Sequence, residues 1–111
     1  MSQASDKIRE LNDAFRTGTR PDLGVMVTTR GVIGHGMAFL ATAMLLTQKF
    51  DAFTPDNDPY GEHDFGSFEL DGELVYWKID YYDPAIEFGS PDPADEAATC
   101  RVLTLFLASE Y

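Results

Sequence analysis

The dipeptide Asp71-Gly72 lies between two runs of alternating apolar and polar residues, and no other feature of the 111-residue chain narrows its fold as far. A two-residue type I′ turn needs positive φ at both central positions, which Asp and Gly accept. The turn fixes the pairing: Leu70 faces Glu73, Glu69 faces Leu74 and Phe68 faces Val75. Because strand side chains alternate, that register puts Phe68, Leu70, Val75, Trp77, Ile79 and Tyr81 on one face, the expected core side. The other face carries Ser67, Glu69, Leu74, Tyr76, Lys78, Asp80 and Tyr82. Carboxylates interleaved with aromatics are unlike an ordinary solvated strand surface, and this face is expected to meet a loop or a partner.

Three helices and one further strand are predicted around the hairpin. Ile8, Leu11 and Phe15 share a helix face over 6–17, with Ser5 or Asp6 as cap and Gly18 as a left-handed stop. The β-branched run Gly24-Val25-Met26-Val27-Thr28-Thr29 predicts a short strand. Residues 36–50 predict a helix apolar on nearly every side, hence buried on more than one face. Residues 31–48 carry no formal charge, but the interruptions Gly31, Gly34, His35, Gly36, Thr42, Thr47 and Gln48 argue against a membrane span. Asp92 as N-cap, Pro93 at the first position, and Asp95 and Glu96 in the first turn predict a last helix reaching about Ser109. The expected fold is α+β: a single small domain, 1–111, with a mainly antiparallel three-stranded sheet and β-hairpin packed against about three helices on one face.

Charge narrows the function classes. The chain has 19 acidic and 8 basic residues, a net of −11, yet 44% hydrophobic and 13% aromatic residues are enough for a core. The acidity is local: residues 51–96 hold fourteen carboxylates against Lys78 alone. Such a surface repels phosphate, which excludes direct nucleic-acid or anionic-membrane binding and predicts a cationic partner. One cysteine, Cys100, allows no internal disulfide, and the start Met1-Ser2-Gln3-Ala4-Ser5-Asp6 lacks the regions of a signal peptide; a cytoplasmic location is expected. Cys100 is read as core packing, without a function.

The segment 54–66 concentrates the polar chemistry. Asp56, Asp58 and Gly61 match the first, third and sixth positions of a calcium loop, but Tyr60 and Ser67 stand at the fifth and twelfth, so the bidentate ligand is missing. His63 between Glu62 and Asp64 has the form of a general base flanked by carboxylates, with Asp80 or His35 as further members. The segment also suits plain turn chemistry, since Asp and Asn beside Pro and Gly bond the local backbone. His63-Asp64-Phe65-Gly66 contains a kinase triplet by coincidence, because no glycine-rich nucleotide loop accompanies it. His35 lies between glycines at a strand-to-helix turn without phosphate-loop spacing.

Four stretches stand out together: Phe53-Thr54-Pro55-Asp56-Asn57-Asp58-Pro59-Tyr60-Gly61-Glu62-His63-Asp64-Phe65-Gly66, Trp77-Lys78-Ile79-Asp80-Tyr81-Tyr82-Asp83-Pro84, Gly89-Ser90-Pro91-Asp92-Pro93 and Arg101-Val102-Leu103-Thr104. In these the chain resembles a family of short bacterial proteins described only as a domain of unknown function. The segment Ile8-Arg9-Glu10-Leu11-Asn12-Asp13 is also similar. The resemblance implies no activity, cofactor or catalytic residue. It implies a context, accessory cargo of plasmids and other mobile elements, in which small acidic proteins include inhibitors of restriction and CRISPR defence.

The sequence thus leads to a non-enzymatic acidic interaction module, of the kind that mimics nucleic acid toward a defence or regulatory complex. Its expected contacts are Asp56, Asp58, Glu62 and Asp64 in the loop and Glu69, Tyr76, Asp80 and Tyr82 on the sheet face, against Arg and Lys of a basic protein. No cofactor and no catalytic residue is assigned. The alternative is a divalent-ion-binding protein or metal-dependent enzyme centred on 54–66, and a third reading is a homo-oligomer assembled through exposed aromatics.

Overall fold

The computed structural model describes residues 3–111, and the elements follow in the order α1 (Gln3–Arg16), β1 (Gly24–Thr28), α2 (Arg30–Ile33), α3 (Met37–Lys49), β2 (Phe65–Leu70), β3 (Glu73–Tyr82) and β4 (Cys100–Leu107). Helix α1 buries Ile8, Leu11 and Phe15 as expected, and with them the polar Asn12 and Arg16 on the same side. Gly18 ends it at φ +89, a conformation that costs glycine least.

The hairpin forms in the register that Asp71-Gly72 dictates, with φ +51 and +80 at the two turn residues. Val75, Trp77 and Ile79 are buried, and Phe68, Leu70 and Tyr81 pack against them.

The last helix is replaced by a strand. Arg101, Leu103, Leu105 and Leu107 are buried in alternation along β4, a period of two. The apolar residues between them made helix and buried strand indistinguishable by pattern. The capping signals are real but serve short turns: the Asp92 side chain accepts from the Ala94 N–H at 3.1 Å and Asp95 from the Ala97 N–H at 2.9 Å. The turn Glu96–Ala98 stops at β-branched Thr99, whose backbone is already extended. Cys100 accordingly opens a strand, half-buried, rather than lying in a helix.

The sheet therefore has four strands, not three, in the order β1-β4-β3-β2, and it is mixed, because β1 runs parallel to β4 while the other pairs are antiparallel. Helix α3 also differs from expectation. Only the stripe Phe39, Ala43 and Thr47 is fully buried, while Met37 is 81% and Leu45 48% exposed, so the helix packs by one side. Among the described residues no helix is long and apolar enough to cross a membrane. The core lies between the helices and one sheet face, where Trp77, Leu103, Leu105, Val32 and Val75 are wholly enclosed.

Candidate functional site: a clasped loop and an open sheet face

A set of polar residues from α1, β3 and β4 ties the acidic loop to the rest of the fold. Asn12 donates to the Glu62 carbonyl at 2.9 Å and to the Tyr81 hydroxyl at 2.8 Å, and its oxygen accepts from Arg101 Nε at 2.6 Å. Tyr81 in turn donates to Glu62 Oε1 at 2.9 Å, and Arg101 Nη2 donates to the Pro93 carbonyl at 2.7 Å. Arg16 donates to the Thr47, Gln48 and Phe50 carbonyls at and just past the C-terminus of α3, a favourable place for a cation, and the Thr47 carbonyl also accepts the Phe50 N–H. Its guanidinium lies 5.4 Å from the Phe53 ring centre and 5.1 Å from that of Trp77. Asp13 completes the set through Arg16 at 3.2 Å.

His63 sits inside this clasp. Its ring stacks on Phe53 at 3.7 Å between centroids, Nδ1 lies 2.9 Å from Asp13 Oδ1, and Nε2 lies 3.6 Å from Asp58 Oδ2. Its own N–H donates to Asp58 Oδ1 at 3.1 Å, which holds the residue at φ +55. The flanking carboxylates are thus Asp13 and Asp58. Asp80 pairs with Lys78 instead, at 3.1 Å, and His35 with Glu73, at 2.8 Å. A cleft of about 480 Å³ opens beside His63 between Arg9 and Phe53–Pro55. Among the described residues the polar partners of the His63 ring are the carboxylates of Asp13 and Asp58, which orient the ring and the loop that carries it. No three His, Cys, Asp or Glu side chains among the described residues converge as metal ligands.

The eight expected contact residues divide accordingly. Asp58 is buried against His63, and Glu62 is held by Tyr81. Asp64 is half-buried, and desolvation followed by the neighbouring charge of Glu62 pushes its carboxyl above the usual carboxylate range. Asp56 is exposed. Glu69, Tyr76, Asp80 and Tyr82 fall together on the sheet face turned away from the helices, Glu69 exposed and the others half-buried.

Asp64 gives a test of its strained charge. A carboxyl whose folded value is raised binds its proton more tightly in the native state, so its ionisation costs stability as pH rises through the window from the unfolded value to the folded one. Asp64→Asn is expected to raise the melting temperature at neutral pH, and thermal unfolding as a function of pH should show that gain vanishing near pH 3, below the ordinary carboxylate value of about 3.9.

The open sheet face has a composition its strands alone did not reveal. Phe65, Tyr76 and Phe106 form a chain of rings 5.3 and 5.5 Å apart, and Tyr111 adds contacts at 5.9 and 5.8 Å. Lys78 Nζ stands 6.0 Å from the Phe106 ring centre with its charge matched by Asp80. A hollow of about 420 Å³ lies over Phe65, Phe106 and Tyr111 with Glu110 at its rim. Glu110 is fixed there by Thr29 Oγ1 at 2.6 Å and the Leu107 N–H at 2.8 Å, bonds that hold its carboxyl below the usual range. Phe106 and Val102 escaped the sequence reading because they were assigned to a helix. Asn12 and Arg16 could have been found, since they fall four and eight residues after Ile8 on the buried face of α1.

No curated protein and no solved structure matches the chain. Residues 28–110 match a family model described as a protein of unknown function, DUF3768, with α1 lying ahead of the matched region, and the chain belongs to that family.

Proposed function

We propose that the chain is a non-enzymatic interaction module that holds a basic protein surface against the open face of its sheet. The observation that carries this reading is the face itself: half-buried Tyr76 and Tyr82 lie on the sheet side turned away from α1 and α3, with Phe106 buried against Tyr76 and Tyr111 and with Glu69 and Asp80 alongside. Aromatic rings give contact area at small entropic cost, and the carboxylates select cationic groups. Asp56, exposed on the loop, extends the acidic surface, whereas Asp58 and Glu62 act by holding the loop in shape. The imbalance of fourteen carboxylates against one lysine over 51–96 supports a partner that otherwise binds nucleic acid, so that the module works as an inhibitor. The mobile-element context implied by the resemblance is in keeping with that role.

The test is affinity capture from bacterial lysate with the wild type and with Tyr76→Ser/Tyr82→Ser, followed by competition between the chain and nucleic acid for the captured protein. A nucleic-acid-binding protein retained by the wild type, released by about 0.5 M salt and lost with the double variant is the expected outcome. Equal capture by both forms would move the contact off the sheet, and a partner that holds chain and nucleic acid together would end the mimicry reading.

A further inference from the structure

Strand β1 is one edge of the sheet, and its orientation decides what it offers to solvent. The Thr29 N–H donates inward to the Leu105 carbonyl at 3.1 Å. Successive residues of a strand turn their N–H and C=O to opposite sides, so Val25 and Val27 bond β4 while Gly24, Met26 and Thr28 direct theirs outward. The side chains are as open as the backbone: Val25 is 43%, Met26 36% and Val27 45% exposed. Natural edges are guarded by lysine, proline, a bulge or a cover, and Gly24–Thr28 has no lysine, proline or bulge.

We infer that β1 is a self-association strand, at which two copies of this chain pair antiparallel about a two-fold axis through Met26 and join their sheets into one of eight strands. The register follows from the outward groups. Met26 meets Met26 of the second copy as a hydrogen-bonded pair, Gly24 meets Thr28, and Val25 meets Val27 as close non-hydrogen-bonded pairs on the open face. Each exposed apolar side chain of the strand thereby gains a cross-strand neighbour.

Charge selects a second copy as the occupant. The strand is uncharged, so it offers a basic partner nothing, and its two ends differ in charge: before it Arg20 is shared by Asp22 at 2.8 Å and Glu96 at 3.2 Å, a cluster with one carboxylate in excess, and Arg30 follows it. Antiparallel pairing centred on Met26 carries Arg30 of each copy toward Asp22 of the other. Arg30 is exposed and forms no ion pair among the described residues. The acidic strands β3 and β2 lie two and three strands away from this edge, roughly 10 Å or more, which is about the distance over which physiological salt screens charge.

Light scattering coupled to size-exclusion chromatography tests the inference, with circular dichroism as a check on folding. The wild type is expected to run as a dimer at micromolar concentration and to remain one in about 0.5 M salt, where capture of a basic partner fails. Met26→Pro removes an outward N–H at an edge position that tolerates proline, and Val25→Lys/Val27→Lys charges the edge. Each is expected to weaken the dimer at least about tenfold while the monomer stays folded. Cysteines give the register: in a Cys100→Ser background, Val25→Cys/Val27→Cys together should cross-link two chains on oxidation, and either alone should not. A wild type that stays monomeric, a dimer indifferent to both edge variants, or single cysteines that cross-link as fast as the pair would each overturn the inference.

Discussion

Asn12→Leu is expected to lower the unfolding free energy by about 4 kcal/mol, read from urea denaturation, because it strands a buried charge and the groups around it. Asn12 is wholly buried, and leucine fills a similar volume, so the effect is electrostatic rather than steric. Both amide protons are in use and the oxygen binds Arg101 Nε at 2.6 Å. Arg101 has little to fall back on. Among the described residues its buried Nη1 has no hydrogen-bond acceptor, its Nη2 donates to the Pro93 carbonyl, its guanidinium lies 5.4 Å from the Tyr81 ring centre, and desolvation pulls its pKa down. Removing both partners should cost less than removing one would suggest, so Asn12→Leu/Arg101→Met is expected to lie well short of the sum of the single losses. A loss under about 1 kcal/mol for Asn12→Leu would show that the network is incidental to stability.

Gly66→Ala is the second large effect, at about 3 kcal/mol. A methyl group on Gly66 would stand 2.4 Å from Trp77 Nε1 and 2.7 Å from Cε2. The indole cannot give way, since Trp77 is fully buried with Phe50 and Phe53 edge-on to it at 5.5 and 6.1 Å. Among the described residues the buried Trp77 N–H has no acceptor, and the Gly66 backbone lies close against it. Trp77→Phe on its own opens a gap, but combined with Gly66→Ala the smaller ring should recover part of the loss. Thermal unfolding of the two single variants and the pair closes that cycle, and strictly additive losses would contradict a direct clash.

How far the fold was legible depended on the range of the interactions that decide each element. The hairpin could be read to the residue because a two-residue turn fixes its register locally. β4 could not, because its strand state rests on neighbours far along the chain, β1 and β3, while its nearest sequence, Asp92-Pro93 and Asp95-Glu96, carries helix-start chemistry. The sidedness of α3 was hidden for a related reason: when nearly every residue is apolar, periodicity no longer says which stripe meets the sheet. At the candidate site, Tyr76, Tyr82 and Asp80 were visible from alternation alone. The clasp was not, since Asn12, Glu62, Tyr81 and Arg101 meet only after α1, the loop and two strands are in place.

The position of β4 has a kinetic side. The strand between β1 and β3 comes after every other strand in the chain, so neither the parallel pair nor the closed apolar layer can exist until residues 100–107 are available. The hairpin can form early, in microseconds, but β1 has to wait for a contact spanning most of the sequence, a slow class of closure. During synthesis the uncharged edge Gly24–Thr28 is therefore exposed for longer than any other strand of the sheet, and the fourteen carboxylates that emerge between it and β4 keep nascent chains apart by mutual repulsion in that interval.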